Sequence, residues 1–279
     1  LINVYLLNMK NYKILIKNGT IVDSKTQMKK DVLISNGKIK KVEKNINSKA
    51  DRIIDASQKF IIPGVIDPQV HFREPGLTHK EDIKSGARAA VCGGITTFFE
   101  MPNTNPATTN SKLLEEKFKI AEKSSVANFS FFLGATPNNI DEIKALKGNC
   151  GVKIFMGSST GDLLVDRDSD IEQIFKHCNK IIAIHSEDEK ILNETAKTFK
   201  KADFRDHPDI RPVRAAVAST NKAISFSLKY KKRLHILHLS TAEEVKIIRK
   251  IKNTGLVTSE TTPQHLLLSA PNIYNDIGS

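Results

Sequence analysis

The chain has 279 residues, 39% of them hydrophobic, which is enough to bury a sizeable core in one large domain or in a large and a small one. Its formal charge of +12 comes from 43 Lys and Arg against 31 Asp and Glu, a balance that raises the question of nucleic-acid binding. The lysines are spread along the chain, many of them on polar helical faces such as residues 112–123, and only 6% of residues are aromatic. A basic, aromatic stacking platform is therefore excluded, and a solvated, lysine-rich surface is expected.

The three cysteines, Cys92, Cys150 and Cys178, are far apart and have no Cys-x-x-Cys spacing. This excludes a disulfide framework and a zinc ribbon, and it fits a reducing cytoplasm. The apolar run at residues 1–7 is too short to span a membrane and lacks the basic flank of a signal peptide. Because the first methionine is Met9, residues 1–8 are expected to precede the natural start.

A first domain, residues 1–62, is predicted to be a small β-sandwich module. From about residue 12, apolar and polar positions alternate in short runs such as Ile14-Leu15-Ile16. Asn18-Gly19 and Asn36-Gly37 interrupt these runs, and such dipeptides favour hairpin turns.

A second domain, residues 63–279, alternates short apolar strands with segments of helical period. The strands are predicted at residues 64–72, 95–101, 128–134, 151–156, 180–185, 234–239 and 255–260. The helices are predicted at residues 78–91, 111–123, 139–147, 169–178, 212–228 and 241–252. Repeated strand–helix units indicate a parallel sheet, and six units with a seventh strand predict an α/β fold, a (β/α)8 TIM-type barrel. No Gly-x-Gly-x-x-Gly follows the first strand, which argues against an open nucleotide-binding sheet.

Barrels of this kind need about 250 residues, and the segment after residue 62 is shorter. The barrel is therefore expected to be incomplete at its C-terminus, without its eighth strand.

Active sites of such barrels gather where the strands end, and polar residues stand at these positions. Asp67, Gln69, His71 and Arg73 stand two positions apart along the first strand, so strand alternation predicts that they share one face. The other candidates at strand ends are Asn103, Lys153, His185 and His238. We expect His71, Lys153, His185 and His238 to converge at one mouth of the barrel.

Other histidines have structural interpretations. His235 lies three positions from His238, so alternation predicts that it faces the helices. His79, His177 and His207 fall in predicted loops or helices and gain no role from their position.

Lys153 is hard to explain as a structural residue. An ammonium between Val152 and Ile154 on a buried strand is costly unless it is paired or neutral. Burial lowers the pKa of a lysine, and the neutral amine can take up CO2 to form a carbamate. With histidines from neighbouring strands, that carboxylate would complete a nitrogen and oxygen ligand set suited to zinc, as one or two ions.

The segments that carry these residues resemble dihydroorotases of the amidohydrolase superfamily. The most specific segment is residues 72–82, Phe-Arg-Glu-Pro-Gly-Leu-Thr-His-Lys-Glu-Asp. Further segments of resemblance are residues 93–97, 101–106, 153–161, 184–187 and 235–240, so that essentially the whole chain is covered.

This resemblance implies a hydrolase that interconverts dihydroorotate and N-carbamoyl-L-aspartate in pyrimidine biosynthesis. It implies a homo-oligomer or a complex with aspartate transcarbamoylase, and neither nucleic acid nor membrane as a partner. Arg73 and Asn103 match groups that hold the substrate carboxylate. The residues that match metal ligands are His71, Lys153 (as the carbamate), His185 and His238.

The sequence departs from the family pattern in three places. Gln69 stands where the family has a histidine, and because an amide oxygen is a weaker zinc ligand, one metal position would be weakened or empty. Gln264-His265 stands where relatives have paired histidines, and its role stays open. The family's general-base aspartate lies on the eighth strand, so no catalytic base is assigned within residues 1–279, and a chain ending there is expected to be inactive.

Two alternatives stay open. A dihydropyrimidinase, hydantoinase or allantoinase would share the fold, but Arg73 and the 101–106 loop argue against these activities because their substrates lack the carboxylate. A non-catalytic partner of aspartate transcarbamoylase is the other alternative. Gln69 supports it, whereas Lys153 and the strand-end histidines argue against it, since a scaffold has no need of buried ligands.

Overall fold

The computed structural model describes residues 12–159 and 163–278, so residues 1–8, expected to precede the natural start, lie outside the described residues. The chain divides into two compact units. The described residues up to Ile66, with Gly93–Thr97, form the first unit, and Asp67–Cys92 with the described residues from Phe98 onward form the second. The sequence-based domain limits at residues 62 and 63 stay a prediction.

Short strands build the first unit. They are β1 (Lys13–Lys17), β2 (Thr20–Val22), β3 (Gln27–Lys29), β4 (Asp31–Ser35), β5 (Lys38–Glu43), β6 (Arg52–Asp55) and β7 (Phe60–Ile61). They form a four-stranded sheet of order β5-β4-β1-β6 and a three-stranded sheet of order β3-β2-β7. Leu15, Leu33 and Ile46 form its buried apolar cluster.

The two predicted hairpins have different outcomes. Asn36 and Gly37 both have positive φ, +54° and +70°, and they join the antiparallel strands β4 and β5, so this hairpin is confirmed. Asn18 also has positive φ, but it connects β1 and β2, which lie in different sheets. The hairpin prediction at Asn18-Gly19 is therefore wrong, because the turn redirects the chain between sheets and does not pair its flanking strands.

The predicted barrel topology is confirmed by a seven-stranded sheet whose strands follow chain order. Its strands are β8 (Val65–Val70), β9 (Ile95–Glu100), β10 (Asn128–Gly134), β11 (Gly151–Phe155), β12 (Ile182–His185), β13 (Leu234–Ile236) and β14 (Val257–Ser259). The successive pairs from β10 to β14 are parallel. Neighbouring strands joined by helices are the arrangement of a (β/α)8 barrel, and a doubly wound sheet would reverse its strand order.

Ten α-helices lie in the described part of the chain. They are α1 (Ile83–Cys92), α2 (Ser111–Ser124), α3 (Ile140–Ala145), α4 (Asp168–His177), α5 (Glu189–Ala196), α6 (His207–Ile210), α7 (Val213–Tyr230), α8 (Ala242–Ile251), α9 (Pro263–Leu267) and α10 (Asn272–Ile277). Asn110, Asp188 and Thr241 cap α2, α5 and α8, because each side chain accepts a backbone N–H of the first turn. Within the described ranges, no helix has the length and apolar character needed to cross a membrane.

The parallel sheet buries a different surface on each face. Val152, Ile182, Leu234 and Val257 pair across β11 to β14 and belong to the large apolar cluster that includes helix residues such as Phe175 of α4. The opposite face, here called the inner face, carries a smaller cluster of Met101, Phe132, Ala183 and Leu237. Residues that alternate with the helix-facing set therefore point to the inner face.

Candidate active site

Strand β8 ends before the first two candidate residues. Strand alternation applies to Asp67 and Gln69, but β8 stops at Val70, so His71 and Arg73 lie in the loop that follows. Arg73 has a φ of +67°, in the left-handed region that non-glycine residues rarely adopt. The predicted strand to residue 72 is therefore too long, and the face predicted for residues 67, 69, 71 and 73 does not follow from alternation, because loop geometry sets two of the four side chains.

Loop contacts bring His71, Arg73 and Asn103 together. His71 Nδ1 donates a hydrogen bond to Asn103 Oδ1 (2.9 Å), which leaves Nε2 free of that bond and able to act as a ligand. Arg73 Nη1 donates to the backbone oxygen of Asn103 (3.2 Å). The two loops touch closely, since Asn105 N donates to Pro75 O (3.0 Å), and a Cβ at Gly76, where φ is +86°, would overlap Asn105 O.

Lys153 lies on the inner face of the sheet. It pairs with Gly134 on one side and with Ala183 on the other, and Ala183 belongs to the inner cluster. The side chain is 1% exposed, its Nζ lies 4.5 Å from the centre of the Phe155 ring, and no carboxylate of the described residues forms an ion pair with it. Burial lowers the pKa of Lys153 well below its ordinary value, although the more distant Glu260 opposes the shift. Burial therefore favours the uncharged, nucleophilic form of the amine.

His185 and His238 face each other. His185 Nδ1 lies 3.1 Å from His238 Nε2, and the two ring centroids are 4.9 Å apart. The other nitrogen of His185, Nε2, donates to Glu187 Oε2 (2.7 Å), which fixes its tautomer and leaves the Nδ1 lone pair directed at His238.

Glu187 is held in turn by an arginine. Arg211 Nε donates to Glu187 Oε1 (3.0 Å), and its Nη2 donates both to Glu187 Oε2 and to Ser158 O (2.8 Å). Burial alone would raise the pKa of Glu187, but the hydrogen bonds from His185 and Arg211 outweigh it and lower the pKa to about 2. An ionised carboxylate therefore orients the His185 ring.

The outward orientation predicted for His235 is wrong. His235 pairs with Ala183 and Thr258 in the parallel register, so it shares the inner face with Lys153, and its ring contacts Thr258 Oγ1 (2.8 Å) and Glu260 Oε2 (3.1 Å). Strand β13 ends at Ile236, and His238 has a φ of +38°. This left-handed residue breaks the alternation, which allows His238 to turn towards His185 although it is three positions from His235.

Electrostatic interactions connect Lys153 with the three candidate histidines. A charge on Lys153 lowers the pKa of His71, of His185 and of His238, so each of these histidines lies within electrostatic range of Lys153. Burial is the largest cause in each case, and it lowers the pKa of His71 and of His238 to about 3. The imidazoles of His71 and His238 are therefore neutral at pH 7, and burial also favours the neutral form of His185. His265 of α9 acts on His238 as well, and Gln264 precedes it.

The nitrogen and oxygen atoms of the candidate residues have the spacing and burial expected of metal ligands. No group of three His, Cys, Asp or Glu side chains in the described ranges is arranged to hold a metal. However, two nitrogens that bind one tetrahedral zinc at about 2.0–2.1 Å lie roughly 3.3 Å apart. His185 Nδ1 and His238 Nε2 are 3.1 Å apart, which is close to that spacing. Gln69 Oε1 is buried without a hydrogen-bond partner among the described residues, as expected of an oxygen that serves as a ligand. With the Lys153 amine, these residues fit a nitrogen and oxygen site.

Two charged pairs at this site were not predicted from the sequence. Glu187 and Arg211 are 24 positions apart, and no local pattern joins them. Glu100 and Lys117 form a buried ion pair (2.8 Å) between β9 and α2, although Lys117 was expected on a solvated helix face. The sequence contained a signal for the burial of Lys117, because Lys117 lies with Leu114 and Ala121 on the buried stripe of α2.

Comparisons with known proteins give consistent relationships. A family model described as dihydro-orotase-like matches residues 58–204. A dihydroorotase of Methanosarcina acetivorans is 37% identical over 270 residues, covering 91% of this chain and 57% of the relative. An allantoinase of Bacillus velezensis is 30% identical over 92% of this chain and 59% of the relative.

Solved structures extend the set of relatives. The L-hydantoinase (dihydropyrimidinase) from Arthrobacter aurescens superposes with a TM-score of 0.89 at 29% identity, covering 95% of this chain and 61% of that chain. The chain thus spans less than two thirds of the length of each of these three relatives.

Proposed function

The chain belongs to the dihydro-orotase-like family, and on that premise we propose that the whole protein catalyses the zinc-dependent, reversible hydrolysis of dihydroorotate to N-carbamoyl-L-aspartate. This reaction belongs to pyrimidine biosynthesis. Relatives named dihydroorotase at 35–37% identity support this choice over the allantoinases at 30%.

The observation that supports the proposal is the contact of Arg73 with Asn103 beside His71. The Arg73 guanidinium lies against Asn103, and Asn103 also holds His71. A guanidinium binds a carboxylate through two parallel hydrogen bonds, and a neighbouring amide adds a neutral donor. Dihydroorotate carries such a carboxylate on its ring, whereas dihydrouracil, hydantoin and allantoin do not.

The residues proposed to hold zinc are His71, His185, His238 and Lys153 as its carbamate. Zinc supplies a Lewis acid for the ring carbonyl and lowers the pKa of water from about 15.7 to about 7. Gln69 Oε1 offers a weak further ligand, and whether one or two ions bind depends on it.

The carbamate forms at the neutral amine of Lys153. The amine nitrogen bonds to the carbon of CO2 and loses one proton, which gives an N-carboxylate. The buried position favours this step because burial lowers the pKa of the amine and so favours its unprotonated form.

The remaining residues orient the reactants. Arg73 and Asn103 fix the ring by its carboxylate, and Glu187 with Arg211 fixes the tautomer of His185. None of the described residues is proposed as the general base. A cytoplasmic location and a homo-oligomer, or a complex with aspartate transcarbamoylase, complete the proposal.

The test is Arg73→Lys in the full-length protein. Lysine keeps the charge but loses the planar two-point fork, so the ring shifts relative to the histidines. A displacement of about 1 Å can cost about 10²-fold in rate. Turnover of dihydroorotate should fall sharply while zinc bound per chain stays unchanged, because Arg73 is not a ligand. The matched variant, His71→Ala, should lower bound zinc.

Dihydrouracil is the control substrate, measured by steady-state kinetics beside metal analysis. Wild-type protein that turned over dihydrouracil as well as dihydroorotate would overturn the carboxylate role of Arg73 and Asn103. The dihydropyrimidinase alternative would then replace the proposal.

A further inference from the structure

A buried ion pair stands behind the loop that carries Arg73. Glu100, the last residue of β9, and Lys117 of α2 are both 0% exposed, with Lys117 Nζ 2.8 Å from Glu100 Oε2. Lys117 Nζ also donates to Met101 O (2.9 Å), and Glu100 Oε1 accepts the backbone N–H of Arg73 (2.9 Å). The pair thus ties the end of β9 to the loop after β8.

The hydrogen bond to Glu100 falls on a strained residue. Arg73 has a φ of +67°, and a non-glycine residue in that region is held there by its surroundings. The backbone conformation at Arg73 sets the direction in which its side chain leaves the loop, and in this conformation Nη1 reaches Asn103 O. Without the acceptor at Glu100, the part-buried N–H of Arg73 would lose this partner, and the left-handed conformation would lose its support.

Stability alone does not account for the pair. Replacing both members of a buried ion pair by apolar residues of similar size is often neutral or stabilising. Burial raises the pKa of Glu100 and lowers that of Lys117, each against the opposing effect of its partner, so burial works against both charges. The pair is costly to bury, and it contacts a strained residue beside the proposed metal site. Its presence is better explained by the residue that it positions, Arg73.

We propose that Glu100 is a positioning residue for Arg73: its Oε1 holds the Arg73 backbone in the conformation that presents the guanidinium to a substrate carboxylate, and Lys117 holds Glu100. The acceptor at residue 100 thereby determines selectivity for carboxylate-bearing rings. This inference rests on the proposed function for the identity of the ligand.

Two double variants of the full-length protein isolate the acceptor atom. E100Q/K117M removes both charges but keeps an oxygen that accepts the Arg73 N–H, whereas E100M/K117M removes the charges and the acceptor. Both variants lose the Lys117 contact to Met101, and Gln and Met have similar length. A merely structural role for the ion pair predicts that the two behave alike.

Calorimetric binding of dihydroorotate and of dihydrouracil gives the readout. E100M/K117M should bind dihydroorotate at least about tenfold more weakly than E100Q/K117M, and the two should bind dihydrouracil alike. In kinetics, kcat/KM for dihydroorotate should fall by a similar factor in E100M/K117M relative to E100Q/K117M, whereas kcat/KM for dihydrouracil should be alike in the two variants. Equal affinity of the two variants for dihydroorotate would overturn the proposal.

The acceptor-retaining variant keeps the test decisive if E100M/K117M does not fold. E100Q/K117M should retain a positive φ at Arg73 in its crystal structure and most of the wild-type preference for dihydroorotate. Loss of that preference in a folded E100Q/K117M would overturn the role of the acceptor.

The result also separates this inference from the proposed function. A wild type that binds dihydroorotate selectively but does not hydrolyse it would overturn the function and leave the positioning role supported. Selective hydrolysis with no difference between the double variants would do the reverse.

Discussion

Asp31 in the N-terminal unit and Lys153 in the barrel unit are both buried charged side chains, 2% and 1% exposed, but their surroundings differ. Asp31 accepts the backbone N–H groups of Asn18 and Ile46, both at 3.0 Å, and Lys17 lies 3.8 Å away. Lys153 has an aromatic ring beside its Nζ and no ion-pair partner among the described residues.

The difference appears in the two pKa shifts. The hydrogen bond from Ile46 is the largest cause that lowers the pKa of Asp31, so the fold favours its charged form. Burial lowers the pKa of Lys153, so the fold favours its neutral form. A buried charge with bonded partners supports the structure that surrounds it. Burial of a titratable group in its neutral form costs stability. Groups whose pKa is shifted by burial in this way cluster at functional sites.

The comparison predicts that neutral replacements of Lys153 and of Asp31 change the free energy of unfolding in opposite directions. On the proposed function, Lys153→Met should lower turnover of dihydroorotate by at least about 10³-fold, because the proposed carbamate could not form and the proposed water-activating site would be lost. The same change should raise the free energy of unfolding of the metal-free protein by about 1–4 kcal/mol, since methionine fills the space without a desolvated amine.

Urea unfolding in CO2-depleted buffer measures this stability effect, with Lys112→Met, the same change at an exposed site, as the control. A lower stability of Lys153→Met than of wild type would show that Lys153 is a satisfied structural residue, and the contrast with Asp31 would fail.

Glu187 gives a smaller effect within the barrel unit. Glu187→Gln removes the charge that Arg211 and His185 both contact, so the His185 ring loses its fixed tautomer. Loss of such an outer partner typically costs about 10–100-fold in metal affinity. Zinc titration against a competing chelator should show this loss, whereas Glu194→Gln, an exposed acid on α5, should bind zinc as wild type does. Equal zinc affinity in both variants would mean that Glu187 only anchors Arg211.

The strands of the barrel were predictable because their signal is strong and local. Apolar runs bounded by turns gave all seven strands, and residues 128–134 coincide with β10. The first helix was predicted from residue 78 but begins at Ile83, whose N–H is accepted by Glu74 Oε2. That acceptor lies nine positions upstream, beyond the range of a capping pattern.

Side-chain directions past the strand ends were not predictable. Alternation requires an extended backbone, and both Arg73 and His238 leave it through a positive φ. Neither residue is glycine, so the sequence carries no mark of the turn. Long-range partners such as Arg211 for Glu187 are equally hidden, because they depend on how separate loops meet. The types and rough positions of the candidate residues could be read from the sequence, but their orientation could not.

Asp31→Asn tests the other half of the comparison. It should leave activity unchanged, because Asp31 lies in the unit without candidate site residues. The loss of charge-assisted bonds to two backbone N–H groups should lower the free energy of unfolding by about 1–3 kcal/mol at pH 7. Because folding lowers the pKa of Asp31, its contribution is complete above the unfolded value of about 3.9 and is lost as the pH falls through the folded value. Wild type and Asp31→Asn should therefore differ in urea midpoint at pH 7 and converge towards pH 3, whereas Glu43→Gln, at an exposed ion pair, should change little at either pH. A gap that stayed constant between pH 7 and pH 3 would show that the Asp31 side chain stabilises the unit through packing and not through its charge.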